Sequence, residues 1–144
     1  MTTAGAGEKT SGSNVSRMFV DAKPFSSFSV NDLTKAKEFY GGTLGLKVTQ
    51  SEEGLELHLA EGNAVFIYPK SNHTPASFTV LNFRVEDIEA AVDELERVGV
   101  PLERYELAGL KTDQRGIAKA HGMKIAWFKD PAGNVVAVIE AGKR

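Results

Sequence analysis

The chain has 144 residues, 42% of them apolar and 25% charged, with a formal net charge of −2, a balance that fits one globular domain and excludes two large ones. Seventeen Lys plus Arg against nineteen Asp plus Glu leave no basic excess to hold a polyphosphate backbone, so nucleic acid is not an expected partner. The absence of Cys excludes disulfide scaffolds, thiolate metal sites and Cys nucleophiles, makes a reducing cytoplasm the expected setting, and no apolar run approaches the roughly 18 residues that suggest a membrane span.

In chain order, residues 1–20 read as a flexible tail, because Gly, Ser, Thr, Ala and Asn dominate its first seventeen positions and cannot repay the entropy of ordering. The tail lacks the apolar stretch of a secretory signal. A single domain is expected over 21–144. Phe25-Ser26-Ser27-Phe28-Ser29-Val30 is strand-like; Asn31-Asp32 offers a helix cap ahead of Leu33, Ala36, Phe39 and Tyr40, and Gly41-Gly42 with Gly45 stops that helix. Strands are predicted over 46–50, 55–59 and 64–68, separated by Glu53-Gly54 and Glu61-Gly62-Asn63 turns.

The order then begins again. A strand is predicted over 78–85, Asp87 caps a helix carrying Ile88, Ala91, Val92, Leu95 and Val98, and Gly99 with Pro101 closes it. Further strands are predicted over 102–105, 124–128 and 134–140, the last two joined by Asp130-Pro131-Ala132-Gly133. A slide of 55 residues lays Phe28, Val30, Asp32 and Ala36 on Phe83, Val85, Asp87 and Ala91. Duplication of one βαβββ unit explains this agreement; two similar supersecondary units would give part of it.

Phe28-Ser29-Val30-Asn31-Asp32-Leu33, with Phe39-Tyr40 and Leu44-Gly45-Leu46, resembles the opening signature of the glyoxalase / bleomycin-resistance / extradiol-dioxygenase (vicinal oxygen chelate) superfamily. The segment 83–99 resembles its second-module opening, and Phe128-Lys129-Asp130-Pro131-Ala132-Gly133-Asn134 its terminal hairpin, so the likeness covers residues 22–141. The resemblance implies an α+β fold of two tandem βαβββ modules, about 22–70 and 77–141, forming a cupped mixed sheet around a central cleft, commonly as a homodimer.

It also implies where a metal would be held in the metal-dependent members. Those positions fall on Phe25, Val80, Ala137 and, less securely, Ile67. Phe, Val, Ala and Ile offer a divalent cation neither lone pair nor charge, so the expectation is no cofactor. The metal-free sequestering relatives are the closer analogy, with a small, partly apolar organic molecule as the partner. The alternative is an enzyme of the family, a lyase, isomerase or dioxygenase, with its metal moved to Glu56, His58, His73 or His121, or with acid–base groups alone.

Strand alternation gives the expected cleft face: Phe25, Ser27, Ser29, Val80, Asn82, Arg84, Val135, Ala137 and Ile139, with Val65 and Ile67 assigned less firmly. Phe28, Val30, Leu81, Phe83, Val85, Val136 and Val138 then pack beneath the helices. Arg84 is suited to a carboxylate or phosphate, or to a nearby acid of the chain itself. His73 reads as a cleft residue or a turn stabiliser, Trp127 as a stacking wall or core filling. The long stretch 105–124, with Tyr105, Asp113, Arg115 and His121, reads as a lid or a solvated loop.

Overall fold

The computed structural model describes residues 11–142. Each half begins with a strand and a capped helix. Strand β1 (Ser26–Val30) leads to α2 (Leu33–Lys37), and β5 (Thr79–Arg84) leads to α3 (Ile88–Arg97). The Asp32 carboxylate accepts from Lys35 N at 3.1 Å, and Asp87 accepts from Glu89 N and Ala90 N at 3.1 and 3.2 Å. Both caps satisfy first-turn amides that the helix itself leaves unpaired.

The first helix does not stop at Gly41-Gly42 as the sequence suggests. After α2 the chain continues as a π-helix over Glu38–Thr43, with Leu44 N donating to Phe39 O at 2.8 Å, and turns out at Gly45, whose φ is +78°. The loosely wound turn tolerates paired glycines that an α-helix would disfavour, and the positive φ needs the Gly.

Strands β2 (Lys47–Gln50), β3 (Leu55–His58) and β4 (Ala64–Pro69) complete a first sheet in the order β1-β4-β3-β2, with β1 and β4 parallel. In the second half, a small hairpin of β6 (Glu106–Leu107) and β7 (Leu110–Lys111) precedes β8 (Ile117–Ala120), β9 (Met123–Lys129) and β10 (Val135–Glu140). The second sheet has the order β5-β10-β9-β8, again with its first and last strands parallel. The βαβββ unit is therefore present twice.

The stretch read as a lid or a solvated loop supplies the module's second strand. No strand forms over 102–105; its place in the module is taken by β8, which pairs with β9 from Ile117↔Ala126 to Ala120↔Met123. His121 and Gly122, at φ +53° and +77°, make the two-residue turn between them. Such a turn matches the twist of its strands. The residues Ile-Ala-Lys-Ala carry little β propensity, which hides the strand from a sequence pattern. Arg115 pairs with Asp93 of α3, and Asp113 accepts from Ile117 N at 2.9 Å and Arg115 N at 2.8 Å. Those backbone donors, Ile117 first, hold the Asp113 carboxyl below its ordinary range.

Two cores lie beneath the helices. Phe28, Val30, Tyr40, Leu55, Leu57, Val65 and Ile67 form one; Ile88, Val92, Phe128, Val136 and Val138 are central to the other. Phe39 and Leu44 pack against both, and the Phe39 ring lies 6.1 Å from that of Phe128. The two modules thus share apolar packing.

Residues 1–10 of the expected tail lie outside the described residues, but 11–21 form a helix, α1 (Ser11–Asp21), not an irregular tail. Val15, Met18 and Phe19 line one side at helical spacing, a stripe that composition alone overlooks, and all three are exposed.

Candidate functional site

The two modules meet at two junctions, and the internal repeat makes them comparable. Strand β1 and β5 correspond at an offset of 55, while the pairings Phe28↔Ile67 and Phe83↔Val138 set the last strands of the modules at an offset of 71. The loop 130–134 of module two is therefore the counterpart of 59–63 in module one. Gly133 and Gly62 stand at φ +86° and +77°, each followed by Asn, and the bonds Asp130 N to Asn134 O and Leu59 N to Asn63 O close both loops at 2.9 and 2.8 Å.

At the first junction, loop 130–134 is fastened to the end of β1. Asn134 Nδ2 donates to the Ser29 carbonyl at 2.9 Å, and the Tyr40 hydroxyl donates to Asp130 Oδ2 at 2.8 Å. The His73 ring bridges the same parts: Nε2 lies 3.0 Å from Ala132 O and Nδ1 lies 2.7 Å from Ser29 Oγ. A carbonyl only accepts, so Nε2 carries the hydrogen, and in the neutral ring the Ser29 hydroxyl donates to Nδ1. The stabilising reading of His73 holds, and Ser29 is spent on the same tie.

Burial, then the Asp130 charge, then the hydrogen bond push the Tyr40 phenol above its ordinary range. Because the folded value lies above the unfolded one, this contribution to stability is complete below about pH 10 and is lost as the pH rises beyond it. Alkaline titration followed at the phenolate absorbance band is expected to show Tyr40 ionising together with unfolding, and Tyr40→Phe is expected to flatten that part of the stability profile.

The second junction is open. A cleft of about 870 Å³ separates loop 59–63 from the end of β5, and its walls include His58, Asn63, Asn82, Arg84, Glu86 and Glu140. Position 84 is the counterpart of Ser29, and Leu59 and Leu95 stand where the first junction has Asp130 and Tyr40. Asn63 Nδ2 donates back to Ala60 O at 3.0 Å within its own loop instead of crossing to β5. Asn82 and Arg84 are both exposed, and among the described residues Arg84 makes no ion pair. His58 Nε2 lies 2.7 Å from Thr49 Oγ1, and Glu140 Oε1 accepts the Ile88 amide at 2.9 Å.

The structure brings together only part of the expected face. Asn82 and Arg84 share the cleft, while Ser27 and Phe25 are exposed, the latter by 70%, and neither borders it. Val80 packs against the first core. Val135 lines a smaller hollow of about 180 Å³ with Trp127, Tyr105 and Phe78, and Ala137 is fully buried between its register partners Asn82 and Trp127. Ile67 is corrected: it is fully buried in the first core, where Val65 is also buried, so Phe66 and Tyr68 take the opposite face of β4. Pairing with β1 at Phe28↔Ile67 fixes this, because adjacent register partners share a face.

Trp127 lies on the side of its sheet away from α3, edge-on to Tyr105 at 5.3 Å between ring centroids. Burial, then the Glu103 charge, push the Tyr105 phenol up. A separate groove of about 390 Å³ between α3 and 43–46 is walled by Leu44, Phe83, Leu95 and Val138, and its charged pair Glu94–Arg97 is closed on itself at 2.8 Å.

The positions where the resemblance implies metal ligands do not fit a metal. Phe25 presents a phenyl ring, Val80 packs on a core, the Ala137 methyl is covered, and Ile67 is interior. Glu61, Glu86, Asn63 and Glu140 carry no signal of a site in the sequence; the repeated Gly-Asn dipeptides at 62–63 and 133–134 are the feature that pairs the two loops.

The profile of the Glyoxalase/Bleomycin resistance protein/Dioxygenase superfamily matches residues 25–138, and the chain belongs to that superfamily. The uncharacterized protein YraH of Bacillus subtilis (strain 168) is 28% identical over 124 residues, spanning 76% of this chain and 90% of its own. TnmS3, an antibiotic binding protein from a Streptomyces species, superposes with a TM-score of 0.60 at 22% identity over 85% of this chain and 98% of its own. A glyoxalase family protein from Enterococcus faecalis gives 0.62 at 23% over 85% and 100%. FosX, the fosfomycin resistance protein of Listeria monocytogenes, gives 0.61 at 12% over 84% and 93%. These likenesses to solved structures concern the fold.

Proposed function

We propose that the protein sequesters a small, partly apolar organic molecule in the open cleft, without a metal. The observation that carries this reading is the exposed pair Asn82 and Arg84, on one face of β5, opening on an 870 Å³ cleft with no ion pair on Arg84 among the described residues. Apolar wall such as Leu46, Leu59 and Phe83 supplies burial, and the two polar groups supply orientation. TnmS3, which shares the fold, is an antibiotic binding protein, so antibiotics belong in the screen.

A ligand that binds the native state at a hundred times its Kd raises stability by about 2.7 kcal/mol. A thermal-shift screen of aromatic antibiotics, thiol adducts, catechols and metal salts is expected to give an organic hit, and Arg84→Ala is expected to weaken it about tenfold, or about 1.4 kcal/mol. Near-stoichiometric iron, zinc, nickel or manganese in protein purified without added metal or chelator would overturn the proposal.

We read the working form as a cytoplasmic homodimer. Phe25, Phe78 and Leu107 stand 70, 68 and 64% exposed, apolar surface that a second copy would cover. Sedimentation at micromolar concentration tests it. The catalytic alternative, a lyase or isomerase working by proton transfer, is favoured by one observation: His58 lines the same cleft, with Nε2 at Thr49 and no bond to Nδ1 among the described residues. Turnover that disappears in His58→Ala while binding persists would establish it.

A further inference from the structure

We infer that the open junction selects ligands carrying an ammonium group. The inference rests on the reading of this cleft as the binding site and adds the charge class of its occupant.

The closed junction shows what a satisfied version of this contact requires. There two acceptors have donors from across the boundary or within the loop: Ser29 O receives Asn134 Nδ2, and Asp130 receives the Tyr40 hydroxyl and the Asn134 amide groups. At the open junction the counterparts of these two donors do not cross the boundary. Leu95 replaces the phenol, Asn63 is turned onto its own loop, and among the described residues no side chain donates to the Arg84 carbonyl, the counterpart of Ser29 O. Acidic residues stand there instead: Glu61, Glu86 and Glu140 all line the cleft. Only one oxygen of Glu140 is engaged, by the Ile88 amide, and none of the three carboxylates forms a salt bridge among the described residues.

Three carboxylates against one guanidinium give the walls a formal charge of −2, with His58 counted neutral. Such a cleft repels an anion and attracts a cation, most strongly where apolar wall keeps water away. An alkylammonium brings three donors and no acceptor, which is the complement of the carboxylates on these walls. Arg84 then serves a neutral acceptor elsewhere on the same molecule.

The test is amide chemical-shift mapping on the full chain with three probes of matched shape: 2-phenylethylammonium, 2-phenylethanol and 3-phenylpropionate, at equal millimolar concentration. The ammonium probe is expected to move amides of 59–63 and 82–86, the carboxylate probe to leave them in place, and Glu61→Gln with Glu86→Gln to weaken the response at least about tenfold. Raised salt is expected to weaken it too. Equal or larger shifts with the alcohol or the carboxylate would keep the cleft as a binding site and overturn its charge class. Silence from all three at these amides would overturn both, and an ammonium response that survives the double substitution would overturn the role of the carboxylates.

Discussion

Replacing Asp130 by Ala is expected to destabilise the chain by about 4 kcal/mol or more, one of the two largest losses expected from a single substitution here. The side chain is buried, 4% exposed, and accepts four hydrogen bonds: Ala132 N and Asn134 N on Oδ1, both at 2.9 Å, and the Tyr40 hydroxyl and Asn134 Nδ2 on Oδ2, at 2.8 and 3.0 Å. Removing it strands the Tyr40 hydroxyl and the Asn134 amide N–H, and takes one bond each from Asn134 Nδ2, which keeps Ser29 O, and from the half-buried Ala132 amide; each buried donor left unsatisfied costs about 1–3 kcal/mol. Tyr40 and Asn134 are themselves 0 and 2% exposed, so water gives little relief. Urea unfolding at constant m-value measures the loss. Tyr40→Phe, which removes one donor with its bond, is expected to cost about 1–2 kcal/mol, and the two losses are expected to fall short of additivity because they remove one shared bond.

The second large effect separates core from cleft on β4. Ile67→Ala is expected to cost about 2–5 kcal/mol, since the side chain is fully buried among Phe28, Leu55 and Tyr40 and its removal leaves a cavity. Ile67→Val, at about 0.5–1.5 kcal/mol, keeps the chain folded and is expected to leave ligand affinity unchanged. Affinity that falls in Ile67→Val would return this residue to the cleft face.

These substitutions also mark how far a sequence can be read. The repeat was legible because the same physical demands recur at fixed spacing: a capping carboxylate at Asp32 and Asp87, and an aromatic packed on the core at Phe28 and Phe83. Strand alternation holds on β3, where Leu55 and Leu57 are buried and Glu56 is exposed. It misplaced Ile67 because a strand's parity is known only after its pairing partner is known. The strand β8 escaped notice because Ala and Lys do not advertise an extended chain; its position is set by the His121-Gly122 turn and by β9. Of the candidate site, Asn82 and Arg84 were legible from parity on one strand. Their cleft companions Glu61, Glu86 and Glu140 lie on a loop and at strand ends, where no periodicity operates and only the packing of one module on the other brings them together.

The π-helical turn at Glu38–Thr43 holds one residue more than an α-helix of the same rise, and Tyr40, whose hydroxyl reaches across to the other module, sits inside it. Deleting either Gly41 or Gly42 would rewind the turn and swing the phenol about the helical axis, away from its carboxylate partner. Length in this segment is thus constrained more tightly than identity, and insertions or deletions that a surface helix would absorb elsewhere should here loosen one half of the molecule from the other.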